Sequence, residues 1–212
     1  MTHDIAILRP TSIIACEVFK DVLGHLNLSA STPNIRLRLL PSTLHLDPVT
    51  LQKELTRHFR AARNRRDRIV CLYGDCFPGI GESCKSFGAI KVSGCHCYEI
   101  LLGSRKFRRI IEETTGTYFL ERQLIEQFDK YCAEPMELHD EEVRRLMFQH
   151  YRQVVYVRQP SDGDLLAEVA RVAELLELAM EVRDADYSHL EKQLKRILHE
   201  ELLGCRPSGE TP

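Results

Sequence analysis

Residues 68–73 read Arg68-Ile69-Val70-Cys71-Leu72-Tyr73, a short apolar run with β-branched residues that is typical of a buried strand. Two similar runs precede it, at residues 12–16 and 35–40. A helix is predicted after the first run, from Glu17 to about Leu26, and a second helix with an apolar face from Thr50 to Arg63. Strands and helices that alternate at this spacing predict parallel βαβ units, and hence an α/β fold.

The rest of the chain continues this alternation. Residues 74–94 are rich in glycine and are predicted to form a loop with one short strand at residues 89–92. Further strands are predicted at residues 117–120, 153–157 and 180–182, and helices at residues 95–102, 105–113, from residue 121 to about 131, and at 137–149, 164–178 and 187–203. We predict the α/β class, with a mostly parallel sheet and flanking helices.

The length of 212 residues suits one α/β domain, which we place at residues 1–204. Two small Rossmann-like lobes, of about residues 10–110 and 111–204, are one arrangement that would enclose a cleft. Residues 205–212 are rich in proline, glycine and serine and are predicted to be a flexible tail.

The composition excludes several classes of protein. Hydrophobic residues make up 43% and charged residues 28% of the chain, which is the balance of a folded globular protein rather than a disordered one. Lys+Arg 29 against Asp+Glu 31 gives a net charge of -2, so no overall positive field favours nucleic acid or an anionic membrane. We find neither a membrane-spanning apolar run nor a secretory signal, and we expect a cytoplasmic protein.

The eight cysteines are the unusual feature, and five of them lie between residues 71 and 97. In a protein without an export signal we expect thiols, metal ligands or redox groups rather than structural disulfides. Cys16 ends the first predicted strand, Cys76 follows the third, and Cys97 opens the helix after the fourth. Because ligands bind beyond the carboxyl ends of parallel strands, these three thiols are predicted to converge. Three ligands with one open position are typical of a catalytic metal site.

The local cysteine spacings are less specific. Neither Cys71-x4-Cys76 nor Cys95-x-Cys97 matches a zinc-finger or ferredoxin pattern. A buried cysteine is commonly a small apolar side chain, and this is the favoured interpretation of Cys71. His45 lies in a turn-rich connector, where it would either face the cleft as a ligand or acid–base group or serve as a turn residue.

Six short motifs occur in a fixed order, at residues 14–18, 44–48, 73–76, 97–104, 116–120 and 151–157. Together they resemble a family of bacterial and archaeal proteins of unknown function that are often encoded beside corrinoid-dependent methyltransferase systems. The resemblance implies that the family's cysteines are Cys16, Cys76 and Cys97, and that the extra ones are Cys71, Cys84, Cys132 and Cys205. Residues of these motifs are our candidates for lining the cleft: Glu17, His45, Tyr73, Gly74, Ser104, Thr117 and Tyr118.

Several functions are compatible with these residues. The favoured hypothesis is an iron–sulfur cluster with an open coordination site, held by Cys16, Cys76 and Cys97. A zinc–thiolate enzyme of the methyltransferase type, with Cys95 as a further ligand, is the second. A non-catalytic accessory protein that binds a corrinoid or a methyltransferase partner is the third. A thiol redox sensor with a Cys95–Cys97 or Cys71–Cys76 disulfide is the fourth. Catalysis, substrate and oligomeric state stay open.

Overall fold

The computed structural model describes residues 10–27 and 34–204, so the predicted tail at residues 205–212 lies outside the described residues. Within these described residues, seven strands form two sheets, and all hydrogen-bonded neighbours within each sheet are parallel. The first sheet has the order β2-β1-β3-β4, with β1 (Thr11–Cys16), β2 (Ile35–Leu40), β3 (Arg68–Leu72) and β4 (Ala89–Lys91). The second has the order β5-β6-β7, with β5 (Thr117–Leu120), β6 (Gln153–Arg158) and β7 (Ala179–Asp184). The predicted α/β class is confirmed.

Helices connect the strands in both sheets. Short 3-10 turns at Glu17–Phe19 and Ser42–Leu46 precede α1 and α2, and a π-helical turn at Asp129–Ala133 follows α6. The α-helices are α1 (Lys20–His25), α2 (Pro48–Asn64), α3 (Ile80–Phe87), α4 (Cys97–Leu102), α5 (Ser104–Glu113), α6 (Arg122–Glu126), α7 (Glu141–Phe148), α8 (Leu166–Leu175) and α9 (Ser188–Gly204).

Two details of the sequence-based prediction are wrong. The glycine-rich segment was predicted to be a loop around one strand, but it contains α3. Gly79 (φ 82°) and Gly88 (φ 66°) flank this helix in the left-handed region, so glycines there delimit a helix instead of preventing one. The helix predicted from residue 137 begins at Glu141, because Oδ1 of Asp140 accepts hydrogen bonds from the amides of residues 142 and 143.

The apolar core joins the two sheets. Alternate residues of β1, such as Ile13 and Ala15, lie in the same core cluster as Val155 and Val157 of β6. The opposite face of the first sheet packs on α2 and α3, and the opposite face of the second packs on α7 and α8. Each fully buried apolar side chain contributes roughly 1.5–3 kcal/mol, so this shared core holds one sheet against the other. The division into lobes near residue 110 stays a prediction.

Polar contacts also connect the segments that follow the strands of the first sheet to those that follow the strands of the second. Nε2 of Gln159, which follows β6, donates to the carbonyl oxygen of Val18, which follows β1 (3.4 Å). The guanidinium of Arg122 contacts the carboxylates of Asp21 (2.7 Å) and Asp162 (3.6 Å). These contacts bring the carboxyl-terminal ends of β1, β5 and β6 together. None of the helices in the described part of the chain is both long and apolar enough to cross a membrane.

Candidate functional site

A cavity of about 270 Å³ lies where the carboxyl-terminal ends of the strands meet. The segments that follow all four strands of the first sheet contribute to its wall, and the segment after β5 closes it from the second sheet. Its lining residues are Cys16, Val18, Phe19, Ser42, His45, Tyr73, Gly74, Asp75, Cys76, Cys95, His96, Cys97, Tyr98, Glu121 and Leu124. This is the position at which parallel α/β sheets bind ligands.

The cavity contains the three cysteines that topology predicts to converge. Cys16 is the last residue of β1, Cys76 lies in the loop after β3, and Cys97 is the first residue of α4. Burial, together with the smaller effect of the charge of Cys76, raises the pKa of Cys16 to about 12. Burial likewise raises the pKa of Cys97, and negative charge on Cys16 or Cys76 would raise it as well. The three sulfur atoms therefore share one weakly solvated environment that keeps the thiols protonated, because negative charges on them would repel each other.

Cys95 lines the same cavity but its thiol has a different partner. Its Sγ donates to Oε2 of Glu99 at 2.9 Å, and its backbone amide donates to the same oxygen at 2.8 Å. Burial alone would raise the pKa of Glu99, but hydrogen bonds from Cys95 and Ser104 outweigh it, and the pKa is lowered to about 2. The thiol of Cys95, which precedes α4, is thus held by the ionised carboxylate of Glu99 in that helix.

The remaining described cysteines are located away from the cavity. Cys71 and Cys84 are buried in one apolar cluster between β3 and α3, where each shifts the pKa of the other. All seven described cysteines are free thiols, and Cys205 lies outside the described residues. In residues 10–27 and 34–204, no group of three or more His, Cys, Asp or Glu residues is arranged so that it could hold a metal ion. The metal role of the cysteines stays a prediction.

The other cleft candidates divide into two groups. His45, Tyr73 and Gly74 line the cavity, whereas Glu17, Ser104, Thr117 and Tyr118 are not among its lining residues. Those outside it make local contacts. The hydroxyl of Thr117 donates to the carbonyl oxygen of Thr114 (2.8 Å), and the hydroxyl of Tyr118 lies 3.8 Å from the sulfur of Cys132.

Glu121 is a cavity residue that sequence reasoning missed. It follows β5, is 7% exposed, and its carboxylate accepts hydrogen bonds from the amides of Gln123 and Leu124 at the start of α6 (both 2.9 Å). Burial raises the pKa of Glu121 despite these hydrogen bonds. Its charge acts on Cys16 and Cys97, so it adds a negative group to the site. The sequence does contain a signal for this residue, because Glu121 directly follows a predicted strand and precedes a predicted helix.

The fold and the cavity define a class: an α/β protein of two parallel sheets with a thiol-rich cleft at the facing strand ends. The chain belongs to the family described as "Protein of unknown function (DUF1638)", whose model matches residues 39–194. The match includes Cys76, Cys97 and Glu121 and begins after Cys16. A search of curated proteins and of solved structures finds no match.

Proposed function

We propose that this protein binds an iron–sulfur cluster through Cys16, Cys76 and Cys97, with one iron left open to a small molecule. The observation that carries the proposal is the position of the three thiols, which come from three separate segments and line one partly buried cavity. Thiolates are the usual protein ligands of such clusters. Packing alone gives no reason for three cysteines to meet at the ligand-binding edge of a parallel sheet.

The electrostatics of the cavity favour a bound cation. Glu121 and Asp75 line the cavity beside the thiols, and neither lysine nor arginine is among its described lining residues. Burial raises the pKa of Cys76, and Lys91, whose charge opposes that shift, has its ammonium group paired with Asp75 at 3.0 Å. Ionising all three thiols would therefore leave a large uncompensated negative charge, which an iron-containing group would neutralise.

The hydrogen bond between Cys95 and Glu99 favours a cluster over a single zinc ion. A zinc ion needs all of its ligands at bonding distance from one point. In a cluster each thiolate binds a separate iron atom, so the cysteine sulfur atoms lie on different sides of the cluster. Cys95, which the zinc hypothesis needs as a further ligand, is engaged by Glu99.

The residues around the thiols would control what reaches the bound group. When bound, such a cluster supplies an electron or a Lewis-acidic iron to a molecule in the cavity. Val18, Phe19 and Leu124 give the cavity an apolar wall, while His45 and Glu121 are among the acid–base side chains that line it. We propose a redox or Lewis-acid reaction on a small substrate, in the service of the corrinoid-dependent methyl transfer that the family resemblance implies.

The test is the metal and sulfide content of protein purified without oxygen, with a visible spectrum of the same sample. We expect iron, acid-labile sulfide and broad visible absorption. Cys76→Ala should remove all three. Cys84→Ala is the matched control, because it deletes a neighbouring buried thiol outside the cavity, and it should retain the iron.

Three outcomes would contradict the proposal. Stoichiometric zinc in a colourless sample would instead support a zinc–thiolate enzyme that activates a thiol. A metal-free protein that co-purifies with a corrinoid or a methyltransferase would support an accessory role. Full retention of iron in Cys76→Ala would show that the metal lies elsewhere in the protein.

A further inference from the structure

The side-chain hydroxyl of Tyr73 forms no hydrogen bond within the described part of the protein. The side chain follows β3, is 2% exposed and lines the thiol cavity. A buried hydroxyl without a partner is costly and uncommon, so it calls for a specific explanation.

The surroundings of this hydroxyl point to the thiols. Cys16, Cys71 and Cys76 all act electrostatically on Tyr73, and two of them line the same cavity. A tyrosine phenol keeps its proton at neutral pH, and burial raises the pKa of Tyr73 above its usual value. The phenol is therefore a donor at a cavity lined by sulfur atoms, and a sulfur atom becomes a good acceptor only when it is negatively charged.

Other polar side chains of the cavity are already engaged. The hydroxyl of Ser42 donates to Oε1 of Gln123 at 2.5 Å, and Nδ1 of His45 is hydrogen-bonded to the carbonyl oxygen of Ser42 at 2.7 Å. The thiol of Cys95 donates to Glu99. The Tyr73 hydroxyl is distinguished from these groups by being both buried and uncommitted.

We infer that Tyr73 donates a hydrogen bond to a sulfur atom of the metal group held by Cys16, Cys76 and Cys97, and so raises the reduction potential of that group. The inference rests on the proposed function. Adding an electron makes the sulfur atoms more negative, and a hydrogen bond to sulfur stabilises that state more than the oxidised one. Tyr73 is thus a positioning and tuning residue.

The first measurement uses protein stripped of metal and does not depend on the cluster. In metal-free protein Tyr73→Phe removes a hydroxyl that makes no hydrogen bond, so its urea-unfolding midpoint should equal or exceed that of the wild type. A lower midpoint would show that the hydroxyl has a partner in the protein, and would overturn the inference.

The second measurement uses protein purified without oxygen and compares the reduction potentials of the wild type, Tyr73→Phe and Tyr118→Phe. Tyr118→Phe is the matched control, because it deletes a half-buried tyrosine hydroxyl that lies near Cys132 and outside the cavity. We expect equal iron content in the three proteins and a more negative potential in Tyr73→Phe alone.

The outcomes separate this inference from the proposed function. Iron-containing Tyr73→Phe with an unchanged potential overturns the role of Tyr73 and leaves the cluster intact. Loss of iron from Tyr73→Phe, with the stability of the metal-free protein unchanged, supports contact between the phenol and the metal group. A colourless, iron-free wild-type protein would contradict both the proposed function and this inference.

Discussion

The backbone of Gly74 lies directly against the carbonyl group of Cys95. A Cβ atom on residue 74 would be 2.7 Å from that oxygen and 2.9 Å from Cα of His96. The amide of Asp75 donates to the same carbonyl oxygen at 2.7 Å. The loop that carries Cys76 is therefore held against the segment that leads into Cys97 and α4, and only glycine permits this approach.

Gly74→Ala should separate the two loops. The new methyl group meets backbone atoms, which cannot rotate away, so we expect a loss of about 1–3 kcal/mol in the free energy of unfolding. Iron content should fall with it, because Cys76 would move relative to Cys97. Urea unfolding and metal analysis of the same preparations measure the two effects.

Gly81→Ala is the control for that substitution. Its Cβ would meet nothing within 4 Å, and alanine is favoured over glycine inside α3, so stability should be unchanged or slightly increased. If Gly74→Ala behaved like Gly81→Ala, the two loops would not depend on their close contact.

The strands and the meeting of the thiols were predictable because both follow from local sequence and topology. The short β-branched runs that form β1 and β3 define buried strands by themselves. Once those strands are parallel, Cys16 and Cys76 must lie at the same edge of the sheet. Neither step requires knowledge of how the second half of the chain packs.

The missed features depend on tertiary packing or on one side-chain conformation. Glu121 enters the cavity only because the second sheet shares a core with the first, and no local pattern reports that contact. Cys95 is two residues from Cys97, yet its thiol bonds to Glu99 instead. In α3, the same glycines that predict a loop act as helix boundaries. Sequence spacing does not distinguish these alternatives.

Asp67 should make the stability of the first sheet sensitive to acid. Its side chain is 1% exposed and accepts hydrogen bonds from Ser12 (2.7 Å), Arg65 (2.9 Å) and Arg36 (3.2 Å). Burial alone would raise the pKa of Asp67, but these donors lower it below the usual value. The ionised Asp67 carboxylate therefore stabilises the folded protein at pH values above its unfolded-state pKa of about 3.9. This stabilisation is lost as the pH falls through the lower pKa that Asp67 has in the folded protein.

We accordingly expect Asp67→Asn to lower the unfolding free energy at pH 7 by about 1–3 kcal/mol and to flatten its decline below about pH 4. Urea unfolding of metal-free protein over a pH series measures both. Glu112→Gln, which alters an exposed carboxyl group of α5, should keep the wild-type slope. A slope that is unchanged in Asp67→Asn would contradict the assignment.

Glu99 should suppress the reactivity of the exposed thiol at Cys95. Burial, the hydrogen bond to Glu99 and the charge of that carboxylate all raise the pKa of Cys95. In Glu99→Gln the charge is gone, so the thiol pKa should fall, and its thiolate fraction at pH 8 should rise. We expect faster alkylation of Cys95 by iodoacetamide, measured by peptide mass spectrometry. Glu82→Gln, on exposed α3 surface, should alkylate at the wild-type rate.

Arg122 should stabilise the junction of the two sheets. It pairs with Asp21 from the first half of the chain and with Asp162, whose side chain is 0% exposed. Arg122→Ala leaves the Asp162 carboxylate buried without its cation, and we expect a loss of about 3 kcal/mol in the free energy of unfolding. Arg145→Ala is the matched control. Arg145 pairs with Glu141 across one helical turn at 72% exposure, and its loss should cost less than about 0.5 kcal/mol.

Urea unfolding followed by circular dichroism provides the comparison for both arginines, at pH 7 and at two salt concentrations. The cost of Arg122→Ala should persist at high salt, because the Asp162 side chain is shielded from solvent, whereas any cost of Arg145→Ala should vanish. Equal, salt-sensitive losses in the two variants would show that the Arg122 contacts are surface ion pairs. The two sheets would then be held together mainly by their shared apolar core.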